Sequence, residues 1–455
     1  MGDPTEDDRK GPQRFIDRQQ AATRVGLIVP DVRGADMRHS IEARQGEFEG
    51  LAQAIHVDVV FSEVLRVREI RPATFVGGGH VKEIATRVKE EEIELLLVDT
   101  ALHPIQQCNL EKETGAKVLD RTGLILEIFG ERAATREGVL QVELAHLNYQ
   151  KSRLVRSWTH LERQRGSGGF GFMGGPGETQ IESDRRQLQD RIKMLEERIE
   201  KVRQNRALQK GRRDIVPFPV VALVGYTNAG KSSIFNNLTG AGVFEKDLLF
   251  ATLDTTVRKL ELPHGREVML SDTVGFVSDL PTDLIAAFRA TLEEVLEADV
   301  ILHVRDISNP DHVAQASDVL NVLSELGVSS EETPIIEVWN KIDLLPPSAE
   351  GGQSNTPAGH VASVCRVSAH TGEGLPELLL QVETVLAAQA RTYKVRVEHA
   401  QGGADVGWLY SHAEVIGSEA DQDDAQIFEV RVDPRHASAF TERFAGRIES
   451  SNVTA

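Results

Sequence analysis

The stretch Gly225-Tyr226-Thr227-Asn228-Ala229-Gly230-Lys231-Ser232 constrains this chain more than any other. It fits G-x-x-x-x-G-K-[ST] and lies between an apolar run, Val220 to Val224, and a helical pattern from Ser233 to Leu238. A strand that passes through glycines straight into a helix presents a row of backbone N–H groups, with the positive end of the helix behind them. Lys231 is then placed to reach the outer phosphates of a nucleoside triphosphate, and Ser232 offers a hydroxyl to Mg²⁺.

Further segments define what that nucleotide is. The apolar residues Val268, Met269 and Leu270 lead into Asp272-Thr273-Val274-Gly275, a D-x-x-G in which Asp272 supports the Mg²⁺ shell and the Gly275 N–H faces a γ-phosphate. The run Ile335 to Trp339 delivers Asn340-Lys341-Ile342-Asp343, and the run Val364 to Val367 delivers Ser368-Ala369. A carboxylate at Asp343 accepts from both the ring N–H and the exocyclic amine of guanine, donors that adenine lacks on that edge. A site built on such bonds rejects the wrong base by roughly 10⁴ or more, because buried polar groups are left unpaired. In this order the elements resemble the GTPase superfamily, so GTP and GDP are the expected ligands.

A switch threonine is expected between the phosphate loop and Asp272. Thr256, just ahead of the strand Val257 to Leu262, is favoured, with Thr252 and Thr255 in reserve. Mg²⁺-dependent GTP hydrolysis is therefore assigned to Lys231, Thr256 and the backbone of Gly275, with Ser232 and Thr256 as metal ligands. After Gly275, where many signalling GTPases carry a water-orienting glutamine, stands Phe276. It offers no hydrogen bond, so hydrolysis should be slow until a partner stimulates it. Asn228, three residues before Lys231, holds the position that in some GTPases coordinates K⁺, which makes K⁺ a candidate second cation.

The chain has 455 residues, room for about three domains, and a net charge of −19. Such charge opposes global wrapping of nucleic acid, so any RNA contact must be local. Cys108 and Cys365 are the only cysteines and have no metal-ligand spacing; with no apolar run approaching 18 residues, a cytoplasmic protein without membrane insertion is expected.

Residues 1–22 read as a disordered tail, followed by an α/β domain over 23–138. Its expected elements are strands at Val25 to Val29, Asp58 to Phe61, Leu95 to Val98 and Leu124 to Phe129, with helices around Arg38 to Ala54, Gly79 to Glu91 and Pro104 to Thr114. Gly77-Gly78-Gly79 ahead of a helix is either an anion site or a tight turn. Residues 139–213 form a helical hairpin: Leu140, Leu144, Leu147, Leu154, Trp158 and Leu161 mark one helix, and Ile181, Leu188, Ile192, Leu195, Ile199 and Val202 the other. Its tip, 166–177, is glycine-rich yet carries Phe170, Phe172 and Met173, which flexible linkers seldom do. Beside it Arg153, Arg156, Arg163, Arg165, Arg185, Arg186 and Arg191 gather positive charge suited to phosphates and unstacked bases. Solvated helix faces account for the same pattern. A GTPase domain over 214–390 and a small α+β domain over 391–455 complete an α/β multidomain chain.

Two longer stretches identify a narrower resemblance. Gly174-Gly175-Pro176-Gly177-Glu178-Thr179-Gln180-Ile181-Glu182-Ser183-Asp184-Arg185-Arg186 resembles the signature of the HflX family of GTPases, as does Phe129-Gly130-Glu131-Arg132-Ala133-Ala134-Thr135-Arg136-Glu137-Gly138. Gly407-Trp408-Leu409-Tyr410 and the strand Ile427 to Val432 are similar to the family's small C-terminal domain. His80 departs from a usual lysine and Thr255 from a frequent proline. The resemblance implies a factor, monomeric when free, that binds the large ribosomal subunit and its RNA. The hairpin tip would point toward the peptidyl-transferase centre, and the factor would separate stalled or idle ribosomes into subunits. The competing readings are a coiled-coil assembly protein regulated by GTP and a GTP-dependent RNA-remodelling factor.

Overall fold

The computed structural model describes residues 22–34, 38–165, 176–213, 218–240, 249–250, 256–279, 292–329, 333–346, 363–389, 391–398, 402–420, 425–432 and 434–453. The expected N-terminal tail, but for residue 22, and the residues Phe170, Phe172 and Met173 of the hairpin tip lie outside them.

Strands β1 (Arg24–Val32), β2 (Asp58–Val67), β3 (Leu95–Val98) and β4 (Lys117–Asp120) form an all-parallel sheet in the order β2-β1-β3-β4. Parallel strands need long crossovers, supplied here by α1 (Ile41–Gln53), α2 (Gly78–Glu90) and α3 (Pro104–Thr114). Ser40 caps α1 by accepting from the Ala43 N–H, which is why the helix begins three residues later than expected. β2 runs on to Val67, six residues past the expected end.

Leu124 to Phe129 is not a strand. It is the middle of α4 (Arg121–Arg132), and the last strand of the sheet, β4, precedes it. Asp120 ends β4 and caps α4 through the Gly123 N–H at 2.9 Å. Leu124, Ile125, Leu126, Ile128 and Phe129 are all essentially inaccessible. A helix packed on several sides loses the amphipathic 3.6-residue stripe and reads as a continuous apolar run, as a buried strand does.

Helices α5 (Arg136–Arg165) and α6 (Pro176–Arg213) form the hairpin. Leu147, Ile192 and Leu195 are buried against one another, flanked by Leu140, Leu144 and Leu188. On another face of α5, Val142, Ala145 and Tyr149 join the core of the first sheet.

The second sheet has the order β10-β9-β8-β5-β7-β6: β5 (Val220–Gly225), β6 (Thr256–Glu261), β7 (Glu267–Asp272), β8 (Val300–Asp306), β9 (Ile335–Asn340) and β10 (Ser363–Arg366). Only the β6–β7 pair is antiparallel. Helix α7 (Lys231–Thr239) follows β5, and the helix Leu375–Gln389 contributes Leu378, Val382 and Leu386 to the core on one face. The opposite face shares a core with the first sheet: Phe48, Leu51 and Phe129 belong to one buried cluster with Tyr226, Phe250, Phe276 and Val319. Phe129 meets Phe250 edge to face at 4.6 Å.

An antiparallel sheet, β12-β13-β11-β14, closes the chain. It is made of β11 (Arg391–Glu398), β12 (Glu414–Ala420), β13 (Ala425–Val432) and β14 (Ile448–Val453). Leu409, Phe440 and Phe444 from its helices bury its Val395, Phe428 and Val430. Among the described residues no helix is long and apolar enough to cross a membrane.

Candidate nucleotide site

The carboxyl ends of β5, β7, β9 and β10 meet at one edge of the second sheet, where open parallel sheets place their ligands. β5 ends at Gly225, and the loop returns through Asn228, whose φ of 58° is left-handed, to Gly230 at φ 93°. A Cβ on Gly230 would lie 2.1 Å from Asn340 Nδ2, so only glycine fits there. Lys231 opens α7. Its ammonium is buried and donates to the carbonyls of Gly225 at 3.1 Å and Tyr226 at 2.8 Å. Burial pulls its pKa down to about 8 against the opposing attraction of Asp272, and an anionic ligand beside it would raise that value again. Behind the loop His303 is held neutral, pushed down to about 3 by burial and then by Arg305 and Lys231.

Ser232 Oγ donates to Asp272 Oδ2 at 2.7 Å. Thr256 starts β6 directly opposite Asp272 in the antiparallel register, and cross-strand partners project to the same face. Thr252 and Thr255 lie outside the described residues. Hydroxyl and carboxylate oxygens gathered in this way suit a small hard cation such as Mg²⁺.

After Asp272 the chain lies directly on the phosphate loop. The Phe276 N–H donates to the Gly225 carbonyl at 3.1 Å, and the Thr227 N–H donates to the Phe276 carbonyl at 2.7 Å. Gly275 has no space for a side chain: a Cβ would stand 2.8 Å from Thr227 Cγ2 and 3.0 Å from Lys231 Nζ. Phe276 is buried.

Asn340, at the end of β9, donates from Nδ2 to the Ala229 carbonyl at 2.8 Å and accepts at Oδ1 from the Ala369 N–H at 2.9 Å. It thus joins the phosphate loop to the Ser368-Ala369 segment. Ser368 Oγ donates to Asp343 Oδ1 at 2.7 Å and holds that carboxylate beside the segment. Lys341 adopts the left-handed conformation and pairs with Asp306 at 2.7 Å. The structure therefore brings Gly225 to Ser233, Asp272, Gly275, Asn340, Lys341, Asp343, Ser368 and Ala369 to one sheet edge. Sequence reasoning missed Asn237, whose amide donates to the Ala369 carbonyl at 2.5 Å.

It also missed a buried polar cluster from the first sheet. Arg121 Nη2 donates to the Ser278 carbonyl at 3.0 Å and to Ser278 Oγ at 2.8 Å, and Nη1 donates to Asp99 at 2.6 Å. Glu47 accepts from Arg121, from the Tyr226 hydroxyl and, at 2.9 Å, from Ser278 Oγ. The one sequence cue was an arginine just ahead of an apolar run that ought to exclude charge.

Away from the nucleotide site, Arg185 and Arg186 are exposed on α6 and line, with Lys151, Gln189, Asp190 and Lys193, a groove of about 680 Å³. Two other arginines of the expected basic patch are engaged internally. Arg153 pairs with the buried Asp120 at 2.6 Å and stacks on Tyr149, while Arg191 pairs with Glu143 at 2.5 Å. Gly77 caps α2 without a side-chain hydrogen bond, and none of Gly77, Gly78 and Gly79 has a positive φ.

Four family models match the chain: "GTP-binding GTPase N-terminal" over residues 42–130, "GTP-binding GTPase Middle Region" over 132–213, "50S ribosome-binding GTPase" over 220–341 and "HflX C-terminal domain" over 355–453. The chain is 50% identical over 369 residues to the GTPase HflX of Magnetococcus marinus, covering 81% of this chain and 83% of that one. It is 42% identical over 359 residues to the GTPase HflX of Escherichia coli, covering 78% and 82%. Among solved structures, a GTP-binding protein from Sulfolobus solfataricus in complex with GDP aligns over 80% of this chain and 98% of its own, at 23% identity and a TM-score of 0.43.

Proposed function

The chain belongs to the HflX family of GTPases, and from that premise we propose that it uses GTP binding and hydrolysis to engage the large ribosomal subunit and to separate stalled or idle cytoplasmic ribosomes into subunits. The observation that carries this reading is the hairpin. Among the described residues its apolar stripe packs inside the chain, Leu147 against Ile192 and Leu195, which speaks against the coiled-coil assembly reading. What the hairpin leaves outward are Arg185, Arg186 and Lys151 along one groove, the local positive charge that an acidic protein needs to approach RNA. The sequence between the two helices adds Phe170, Phe172 and Met173, of which the two aromatics suit stacking on unpaired bases.

At the nucleotide edge, Lys231 and the loop amides bind the phosphates, Asp343 and Asn340 select guanine, and the Gly275 N–H meets the γ-phosphate. Ser232 and Thr256 would hold Mg²⁺, with Asp272 supporting them, and the ion would supply neutralisation of the phosphate charge. Phe276 cannot orient a water by hydrogen bonding, so the stimulus for hydrolysis comes from the ribosomal partner.

Sedimentation of purified ribosomes through sucrose tests the reading. The protein with GTP should shift the monosome peak to free subunits. Phe170→Ala with Phe172→Ala should abolish that shift while the affinity of the free protein for GTP stays within twofold, because the tip belongs to a different domain from Asp343. Splitting at the unaltered rate by the double variant would refute the role of the tip, and no splitting by the parent protein would refute the function.

A further inference from the structure

The segment from Gly275 to Ser278 is fastened at both ends. At its start the main chain of Phe276 exchanges hydrogen bonds with Gly225 and Thr227 of the phosphate loop. At its end Ser278, buried, is held by groups from three places. The Tyr226 hydroxyl accepts from its N–H at 2.6 Å, Arg121 donates to its carbonyl and hydroxyl oxygens, and Glu47 accepts from its hydroxyl. Tyr226 belongs to the phosphate loop, whereas Glu47 lies on α1 and Arg121 on α4, in the other sheet.

The cluster is largely buried, with Glu47 at its partly exposed margin. Arg121 is 3% exposed, Tyr226 4% and Asp99 0%. Asp99 accepts from Arg121 at 2.6 Å and from Arg44 at 2.8 Å, which fixes the guanidinium in the plane that meets Ser278. Burial and the Glu47 carboxylate keep the Tyr226 phenol protonated, so its hydroxyl has one hydrogen to give Glu47 and a lone pair for the Ser278 N–H. Each member satisfies another, and such a network has one favourable arrangement.

That arrangement conflicts with a γ-phosphate. The missing side chain of Gly275 would sit 3.0 Å from the Lys231 ammonium, so the segment occupies the space above the group that must grip the outer phosphates. The Thr227 N–H, a phosphate-loop donor, is committed to the Phe276 carbonyl. On this geometry a diphosphate would leave the segment in place, whereas a triphosphate would have to lift it.

We propose that Glu47 and Arg121 are positioning residues for the hydrolysis site: through Ser278 and Tyr226 they hold residues 275–278 down on the phosphate loop and so set the balance between GDP and GTP. By linkage, a triphosphate that lifts the segment loosens the contact between the two sheets by the same factor. This inference rests on the nucleotide site assigned above.

The test uses the full chain with Mg²⁺ and titrates fluorescent GDP and a fluorescent non-hydrolysable GTP analogue. Arg121→Ala would strand two buried carboxylates and endanger folding, so the informative variants are Glu47→Gln, which keeps the shape, and Ser278→Ala. Each should tighten the GTP analogue by about tenfold, within the usual range of site coupling, and change GDP by less than twofold. The double variant should gain little over either single one, since both cut the same link. A merely structural role would lower the melting temperature without moving the ratio of the two affinities. An unchanged ratio in folded Glu47→Gln and Ser278→Ala overturns the proposal. Failure of the parent protein to bind either nucleotide would instead overturn the site assignment.

Discussion

The two parallel sheets of this chain use the same edge for opposite ends. In the first, the carboxyl ends of β3 and β4 carry Asp99 and Asp120, and every charge there is consumed by another: Arg44 and Arg121 on Asp99, Arg153 and the Tyr149 hydroxyl on Asp120. In the second, the corresponding edge carries Lys231, which donates to backbone carbonyls, Ser232, which donates to Asp272, and Asp343, which accepts from Ser368. The difference is one of electrostatic closure. Saturated pairs make an edge rigid and inert toward anions. A buried lysine hydrogen-bonded to carbonyls, with its pKa drawn down to about 8, gains most from an incoming phosphate. The first edge is a bearing surface for the second, and the second is left to bind.

Asp343→Asn would break the comparison most sharply, since it alters the open edge alone. GTP affinity should fall by at least about a hundredfold, and xanthosine triphosphate should gain, because the amide donates where the carboxylate accepted. Competition titrations of the two nucleotides would read this directly, and an unchanged GTP affinity would remove Asp343 from the base pocket.

Arg153→Met is the converse change. It strips one partner from the buried Asp120 and should lower stability by about 3 kcal/mol, measured as the urea midpoint, while GTP affinity stays within twofold. A large loss of GTP affinity with an unmoved midpoint would reverse the roles given to the two edges.

The smallest effect lies where the sheets meet. His39 donates toward Asp318 at 2.6 Å, with Asp311 at 3.8 Å on its other nitrogen and Glu47, Arg38 and Tyr226 around it. Its hydrogen bond to Asp318, opposed by burial, raises its pKa above the usual 6.5. The protonated form favours the docked sheets, so this stabilisation is complete below pH 6.5 and fades as pH rises through the raised value. His39→Gln should lower the melting temperature at pH 6 by the equivalent of about 1 kcal/mol or less and leave it unchanged at pH 9. An equal loss at both values would show that the ring acts by packing and not by charge.

The nucleotide edge was legible in the sequence because each of its parts is a short contiguous segment placed directly after a strand: 225–232, 272–275, 340–343 and 368–369. Local chemistry dictates those segments, and the fold only has to bring strand ends together. Leu124 to Phe129 misled for the opposite reason, since tertiary burial on several sides erased the period that distinguishes a helix from a strand. The Glu47, Arg121 and Ser278 cluster carried no spacing pattern, only the cue of Arg121 ahead of an apolar run, for its members stand 74 and 157 positions apart. Long-range polar complementarity has no spacing to read. That Arg153 pairs with Asp120 and Arg191 with Glu143 was likewise hidden, because charge can be counted in a sequence whereas its partner cannot be read from position alone.

The core shared by the two sheets also has a history during synthesis. Arg132, at the end of α4, donates to the Leu249 carbonyl across 117 residues of chain, and Phe129 beside it packs on Phe250. At roughly 5–20 residues per second, the outer face of α4 leaves the ribosome on the order of ten seconds before its cover exists. During that interval the newborn first sheet carries Phe129 without the Phe250 ring that meets it, and a pause between codons 132 and 249 would prolong its exposure.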